Sequence, residues 1–118
     1  MATHIDTGME GEELAAGYLV DKGYVILHRN WRHRRLEVDI IAVAGGILHF
    51  IEVKTRKSAK FGLPEENVDK KKIKHLIDAS AEFLHIYPQW QRVQFDIISV
   101  SIMPNGTADY FMIEDIYL

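Results

Sequence analysis

Between Glu37 and Arg56 the chain reads EVDIIAVAGGILHFIEVKTR, two strand-length apolar runs joined by Gly45-Gly46. No other stretch constrains the fold as much. A two-residue hairpin loop that matches strand twist needs positive φ at its central positions, which glycine adopts without steric cost. With that loop Ala44 faces Ile47, and the same register places Asp39 opposite Glu52 and Glu37 opposite Lys54. Alternation then puts all four ionisable residues on one face, whereas a loop one residue longer would turn one strand over. Like charges directly opposed across two strands repel. Ile40, Ile41, Phe50, Ile51 and Val53 around them imply a buried strand centre, where charge needs a partner. Lys54 is one candidate for that partner, and a divalent cation is the other. For an isolated E-x-K the ordinary reading is a cross-strand ion pair with the acids solvated; Asp39 among these apolar neighbours argues against it.

The flanking pattern builds a layered α/β fold around this pair. From about Gly8 to Lys22, Leu14, Ala15, Tyr18 and Leu19 recur at helical spacing, and Gly23 is a natural helix stop. YVILHRNW reads as a strand. Gly62 and Pro64 break regular structure in SAKFGLPEE. A long helix then runs to about Tyr87, with Val68, Ile73, Leu76, Ile77, Ser80, Phe83 and Leu84 inward, and Pro88 closes it. VQFDIISVSI is a fourth strand, PNG a turn and ADYFMIEDIY a fifth strand. The order α-β-β-β-α-β-β predicts one domain over residues 1–118, a mixed β-sheet flanked by helices.

Several function classes are disfavoured. MATHIDTGMEGEE has neither the basic start nor the apolar run of a signal peptide, and no segment is long enough to span a bilayer, so no membrane partner is expected. The chain has no cysteine, which excludes a disulfide framework and thiolate zinc and fits a cytoplasmic location. Its six histidines form no pair at metal-ligand spacing on one helix face, so zinc is disfavoured. There is no phosphate-cradling glycine loop and no serine–histidine arrangement suited to acyl transfer. A net charge of -3 argues only weakly against nucleic acid, because the charge is segregated. HRNWRHRR at 28–35 holds four arginines and no acid, and DKKKIKH follows at 69–75.

These residues suggest a chemistry. Mg²⁺ or Mn²⁺ takes oxygen ligands, commonly one or two carboxylates with waters and a substrate phosphate, and Asp39 and Glu52 supply such a pair. Lys54 is placed to hold or deprotonate an attacking water and to stabilise developing negative charge. Glu12 falls at the margin of the first helix's apolar stripe, while Glu13 points away. An acid early in a helix ordinarily serves the helix dipole, yet that marginal position also allows Glu12 to reach the sheet. Arg29, Arg32, Arg34 and Arg35 precede the Asp39 strand and Arg56 ends the Glu52 strand, where arginine's planar fork suits phosphate. Lys72 shares a helical row with Val68 and Leu76 and is the lysine singled out of its cluster. Trp31 is a candidate to stack on an unpaired base, although packing is the commoner role for an aromatic at a strand end.

The combination D-x12-E-x-K with a helix-borne glutamate before it resembles the PD-(D/E)XK nucleases of the restriction-endonuclease-like fold. The ordered segments GEELAAGYL at 11–19, GYVILHRNWR at 23–32, EVDIIA at 37–42, FIEVKTR at 50–56, FGLPEENV at 61–68 and FDIISV at 95–100 are similar to the YraN-like family of small bacterial proteins. One departure is Leu36, where that family often has glycine. The resemblance implies a core like that of archaeal Holliday junction resolvases, with Asp39, Glu52 and Glu12 as metal ligands and catalytic acids and Lys54 as the motif lysine. It further implies metal-dependent hydrolysis of DNA phosphodiesters, including branched DNA, with a second copy of the chain as a candidate partner. A nucleic-acid-binding module without chemistry is the alternative, and a scaffold whose polar hairpin residues are merely ion-paired is a third.

Overall fold

The computed structural model describes residues 4–57 and 70–116. Its elements are α1 (His4–Asp21), β1 (Val25–His33), β2 (Leu36–Ala44), β3 (Ile47–Arg56), α2 (Lys70–Ile86), β4 (Val93–Ile102) and β5 (Ala108–Ile113). The element order matches the expectation. The differences are at the ends: β1 extends two residues past Trp31, and β5 stops at Ile113 rather than continuing through IEDIY. The SAKFGLPEE turn and Val68 lie outside the described residues.

Local chemistry explains the punctuation. Gly23 has φ of 95°, its amide donates to the Val20 carbonyl at 3.0 Å, and the Tyr24 amide donates to the Leu19 carbonyl at 3.0 Å. That paired capping uses the left-handed conformation only glycine adopts cheaply. Gly45 and Gly46 have φ of 59° and 76°, and Ala44 pairs with Ile47, so the hairpin loop is the two-residue one.

The five strands lie in the order β1-β2-β3-β4-β5, antiparallel except for β3 against β4. The parallel pair requires a crossover, and α2 lies on that connection. This open mixed sheet with a helix on each face is consistent with a restriction-endonuclease-like core. Ala15 and Leu19 of α1 pack on Ile40, Ala42, Ile51, Ile98 and Val100, while Leu76, Ala79 and Phe83 of α2 pack on Val38, Ile41, Leu48 and Phe50. Of the α2 residues expected inward, Ile73, Leu76, Ser80 and Phe83 are buried, and Ile77 and Leu84 are half-buried. Leu36 packs at the edge of the α2 cluster, so the side chain standing where glycine is common has a place in the core.

A second polar centre holds the far end of the sheet. His49 Nδ1 lies 2.7 Å from Asp96 Oδ2, with both residues buried. Asp96 Oδ1 also accepts from Gln94 Nε2 at 2.9 Å and from the Asp115 amide at 3.0 Å. These donors satisfy a carboxylate that would otherwise be costly inside a strand, and they clip the chain after β5 onto the sheet.

Candidate metal and nucleic-acid site

The hairpin ladder runs as predicted from Ala44↔Ile47 to Ile40↔Ile51 and then ends. Asp39 is therefore not a ladder partner of Glu52, nor Glu37 of Lys54, which corrects the register extrapolated from the loop. Beyond Ile40, β2 stays with β1 through Trp31↔Val38 and Arg32↔Glu37, whereas β3 stays with β4 through Lys54↔Ser99 and Arg56↔Ser101. The sheet forks at this point. In an unbroken ladder the next hydrogen-bonded pair would be Val38 with Val53. Instead the Val53 amide donates to Asp39 Oδ2 at 2.8 Å.

A change of phase accompanies the fork. Strict alternation would put Val38 and Ile40 on one face, yet Val38 packs under α2 and Ile40 under α1. Across from Asp39, between Arg29 (paired with Ile40) and Trp31 (paired with Val38), Asn30 has φ of 54°. Asparagine tolerates that left-handed conformation better than most residues. Its signal in the sequence, a lone Asn within a strand pattern, is easily overlooked.

The crevice of the fork contains two neighbouring cavities. The smaller, about 50 Å³, is lined by Glu37, Val38, Asp39, Glu52, Lys72, His75 and Leu76. It has room for an ion with a few waters, not for a base. The larger, about 360 Å³ and open to solvent, is lined by Val53, Lys54, Thr55, Arg56 and Lys72. Lys72 borders both. The first turns of α2 thus bring a lysine over a carboxylate cavity and a basic one together. His75, one turn further along α2, was not singled out from the sequence; its Nε2 accepts from the Glu37 amide at 3.4 Å.

The electrostatics of the smaller cavity turn on Asp39. Burial raises the Asp39 carboxyl to about 6; the Val53 amide opposes this, and Glu12, Glu52 and Glu37 raise it further. A carboxyl made reluctant to ionise by desolvation and like charge is one that a cation would relieve. Among the described residues no three His, Asp or Glu side chains converge closely enough to hold a metal. Glu12, half-buried on α1, is felt by Asp39 through charge but does not complete a three-residue ligand set with Asp39 and Glu52. The donor set that fits is the two-carboxylate kind usual for Mg²⁺, with water filling the remaining positions.

The remaining candidates separate clearly. Glu13 is exposed and pairs with Arg29 at 2.9 Å. Arg32 pairs with Glu37 at 3.3 Å, both well exposed. Arg34, with φ of 59°, and Arg35 form the exposed turn between β1 and β2. Trp31 is half-buried: its ring meets Phe83 in a T-shaped contact with centroids 5.4 Å apart, against the α2 cluster, and lies parallel to the His33 ring at 6.1 Å. It leans on this cluster because its strand partner, Val38, also faces α2.

Known proteins with matching sequences place the chain in a family. The family described as "Uncharacterised protein family UPF0102" matches residues 11–100. A UPF0102 protein of Phocaeicola vulgatus is 48% identical over 100 residues, covering 85% of this chain and 83% of the relative. Another from Chlorobium phaeobacteroides is 45% identical over 114 residues, covering 94% and 90%. One from Rhodococcus opacus is 42% identical over 103 residues, covering 86% and 87%. With its matched region running from the α1 segment GEELAAGYL through the β4 segment FDIISV, the chain belongs to the uncharacterised protein family UPF0102, the YraN-like family its ordered segments resemble.

Proposed function

We propose that the protein is a divalent-metal-dependent endonuclease that hydrolyses DNA phosphodiester bonds. The observation that carries this reading is the fork: Asp39 and Glu52 line one small cavity, and Lys72 joins it to a basic cavity lined by Lys54 and Arg56. Asp39 and Glu52 would hold Mg²⁺ or Mn²⁺, with Glu12 adding negative charge nearby. A metal bound there supplies Lewis-acid stabilisation of a phosphoryl oxygen and a lowered pKa for bound water.

The protein's own groups do the rest. The Val53 amide holds one oxygen of Asp39, so the carboxylate is oriented before any ligand arrives. Lys54 faces the basic cavity, where its ammonium can orient a water and stabilise charge growing on the phosphate. Arg56 and Lys72 sit along the same cavity to receive the flanking backbone, while Arg32, Arg34 and Arg35 extend the basic surface along the β1–β2 turn. With Trp31 half-buried against Phe83, recognition runs chiefly through the phosphates that these basic residues can reach.

The deciding experiment incubates the wild-type protein and Lys54→Ala with supercoiled, linear and four-way-junction DNA, with Mg²⁺ and with chelator. Cleavage by the wild type that needs metal and Lys54 supports the reading. Identical traces from both proteins remove it. Salt-dependent DNA binding without divalent-metal binding would instead establish a binding module on the same fold.

A further inference from the structure

We infer that Gly11 is a positioning residue for the metal site: its missing side chain lets α1 dock against Thr55, and that docking brings Glu12 to the fork. The inference rests on the metal site proposed above and adds a requirement that neither the family description nor the ligand residues imply.

Gly11 is buried in α1, and a Cβ built on it would stand 1.8 Å from Thr55 Oγ1, 2.7 Å from Thr55 Cβ and 2.7 Å from Thr55 Cγ2. Turning the Thr55 side chain does not relieve this. One branch would replace another, and the Thr55 Cβ, which no rotation moves, is itself too close. Either the helix or the strand must shift, by an amount on the order of 1 Å, a displacement that can cost about a hundredfold at a reacting centre. Both partners adjoin the site: Glu12 follows Gly11, and Thr55 follows Lys54 and is three residues from Glu52.

A second glycine in the same helix provides the contrast. Glycine is among the poorest helix formers, so one inside a helix calls for a packing reason. Gly17 also lies in α1, but a Cβ there would meet nothing within 4 Å. Of these two helical glycines, Gly11 alone leaves no room for a Cβ, and it lies in the turn of α1 that carries Glu12.

The test is Mn²⁺ binding, followed by the paramagnetic signal of the free ion, with melting temperature measured alongside. Gly11→Ala should weaken Mn²⁺ binding about ten- to a hundredfold, the usual effect of disturbing the support of a metal site. Gly17→Ala should leave binding unchanged. Thr55→Gly removes all the colliding atoms, so Gly11→Ala/Thr55→Gly should bind Mn²⁺ within about threefold of Thr55→Gly alone, well inside the loss expected of Gly11→Ala. Adding Glu12→Gln to Gly11→Ala should cause no further loss. Should Gly11→Ala not fold, rescue carries the test: a double variant that folds and binds Mn²⁺ like Thr55→Gly supports the Gly11–Thr55 contact, and one that stays unfolded or loses binding overturns it. Unchanged Mn²⁺ binding by Gly11→Ala, or a loss that Thr55→Gly does not relieve, overturns the role of Gly11 alone. Absence of Mn²⁺ binding by the wild type removes the metal site itself, and this role with it.

Discussion

Asp39 accepts the backbone amide of Val53 at 2.8 Å, in the place where the next rung of the β2–β3 ladder would have lain. A side-chain acceptor thus replaces a main-chain one, and the strands part without leaving a buried donor unpaired. The same bond holds Asp39 at the cavity that Glu52 also lines. Strand separation and carboxylate placement are therefore one structural event.

The first prediction concerns stability against pH. Burial, with Glu12, Glu52 and Glu37 nearby, raises Asp39 from its ordinary value near 3.8 to about 6. Well below pH 3.8 the carboxyl is protonated in folded and unfolded chains alike. Between about 4 and 6 the unfolded chain ionises while the folded one keeps its proton, so stability falls as pH rises through that window. The loss is on the order of 2 kcal/mol after allowance for solvent screening. Asp39→Asn should flatten the profile and be more stable than wild type at pH 8, but not at pH 3.5. Urea titrations at the two pH values measure this; a wild-type profile flat from 4 to 6 contradicts it.

Metal should reverse that instability. Millimolar Mn²⁺ at pH 8 is expected to raise the wild-type melting temperature and to leave Asp39→Asn and Glu52→Gln unmoved, because binding to the folded state alone stabilises it by mass action. Equal shifts in all three proteins would place the ion elsewhere.

Lys54→Ala should lower the cleavage rate by about 10²- to 10⁴-fold, the range typical of removing a proton-transfer or charge-stabilising group. DNA affinity at fixed salt should change far less. A rate loss matched by an equal loss of affinity would make Lys54 a backbone contact only.

Arg56→Ala and Lys72→Ala test the basic cavity. Each should reduce the slope of log affinity against log salt by about one, without changing preference among sequences. Fluorescence anisotropy between 50 and about 200 mM salt suffices. An unchanged slope for both removes this cavity from the DNA path.

At the other end of the sheet, Asp96→Ala should cost on the order of 3–5 kcal/mol, since it strips His49, Gln94 and the Asp115 amide of their shared acceptor. The Tyr24 phenol, held above its ordinary range first by burial and next by the Asp96 charge, should titrate lower in Asp96→Asn. Urea unfolding and tyrosinate absorbance follow the two effects separately.

Much of the fold was legible because its causes are local. Gly23 ends α1 and Gly45-Gly46 reverses the chain through positive φ, which neighbouring residues alone reveal. The α2 face followed from the spacing of Ile73, Leu76, Ser80 and Phe83. Asp39 and Glu52 could be named as a pair because two charged residues inside apolar strands need a reason wherever the strands lie.

Tertiary structure decided what local rules do not reach. Extending the hairpin register past Ile40↔Ile51 failed because the outer half of β2 stays with β1 while the outer half of β3 stays with β4, a strand distant in sequence that reaches β3 only after the α2 crossover. Trp31 packs half-buried against the α2 cluster because Phe83, more than fifty residues later, lies beside it. Lys72 borders both cavities and Gly11 meets Thr55 only once the helices have docked. Sequence alone thus determined which residues are charged, which turn and which face inward, since φ preference and hydrophobic spacing act over a few residues. Folding in three dimensions determined where the sheet opens, because that depends on which strands compete for the same hydrogen bonds.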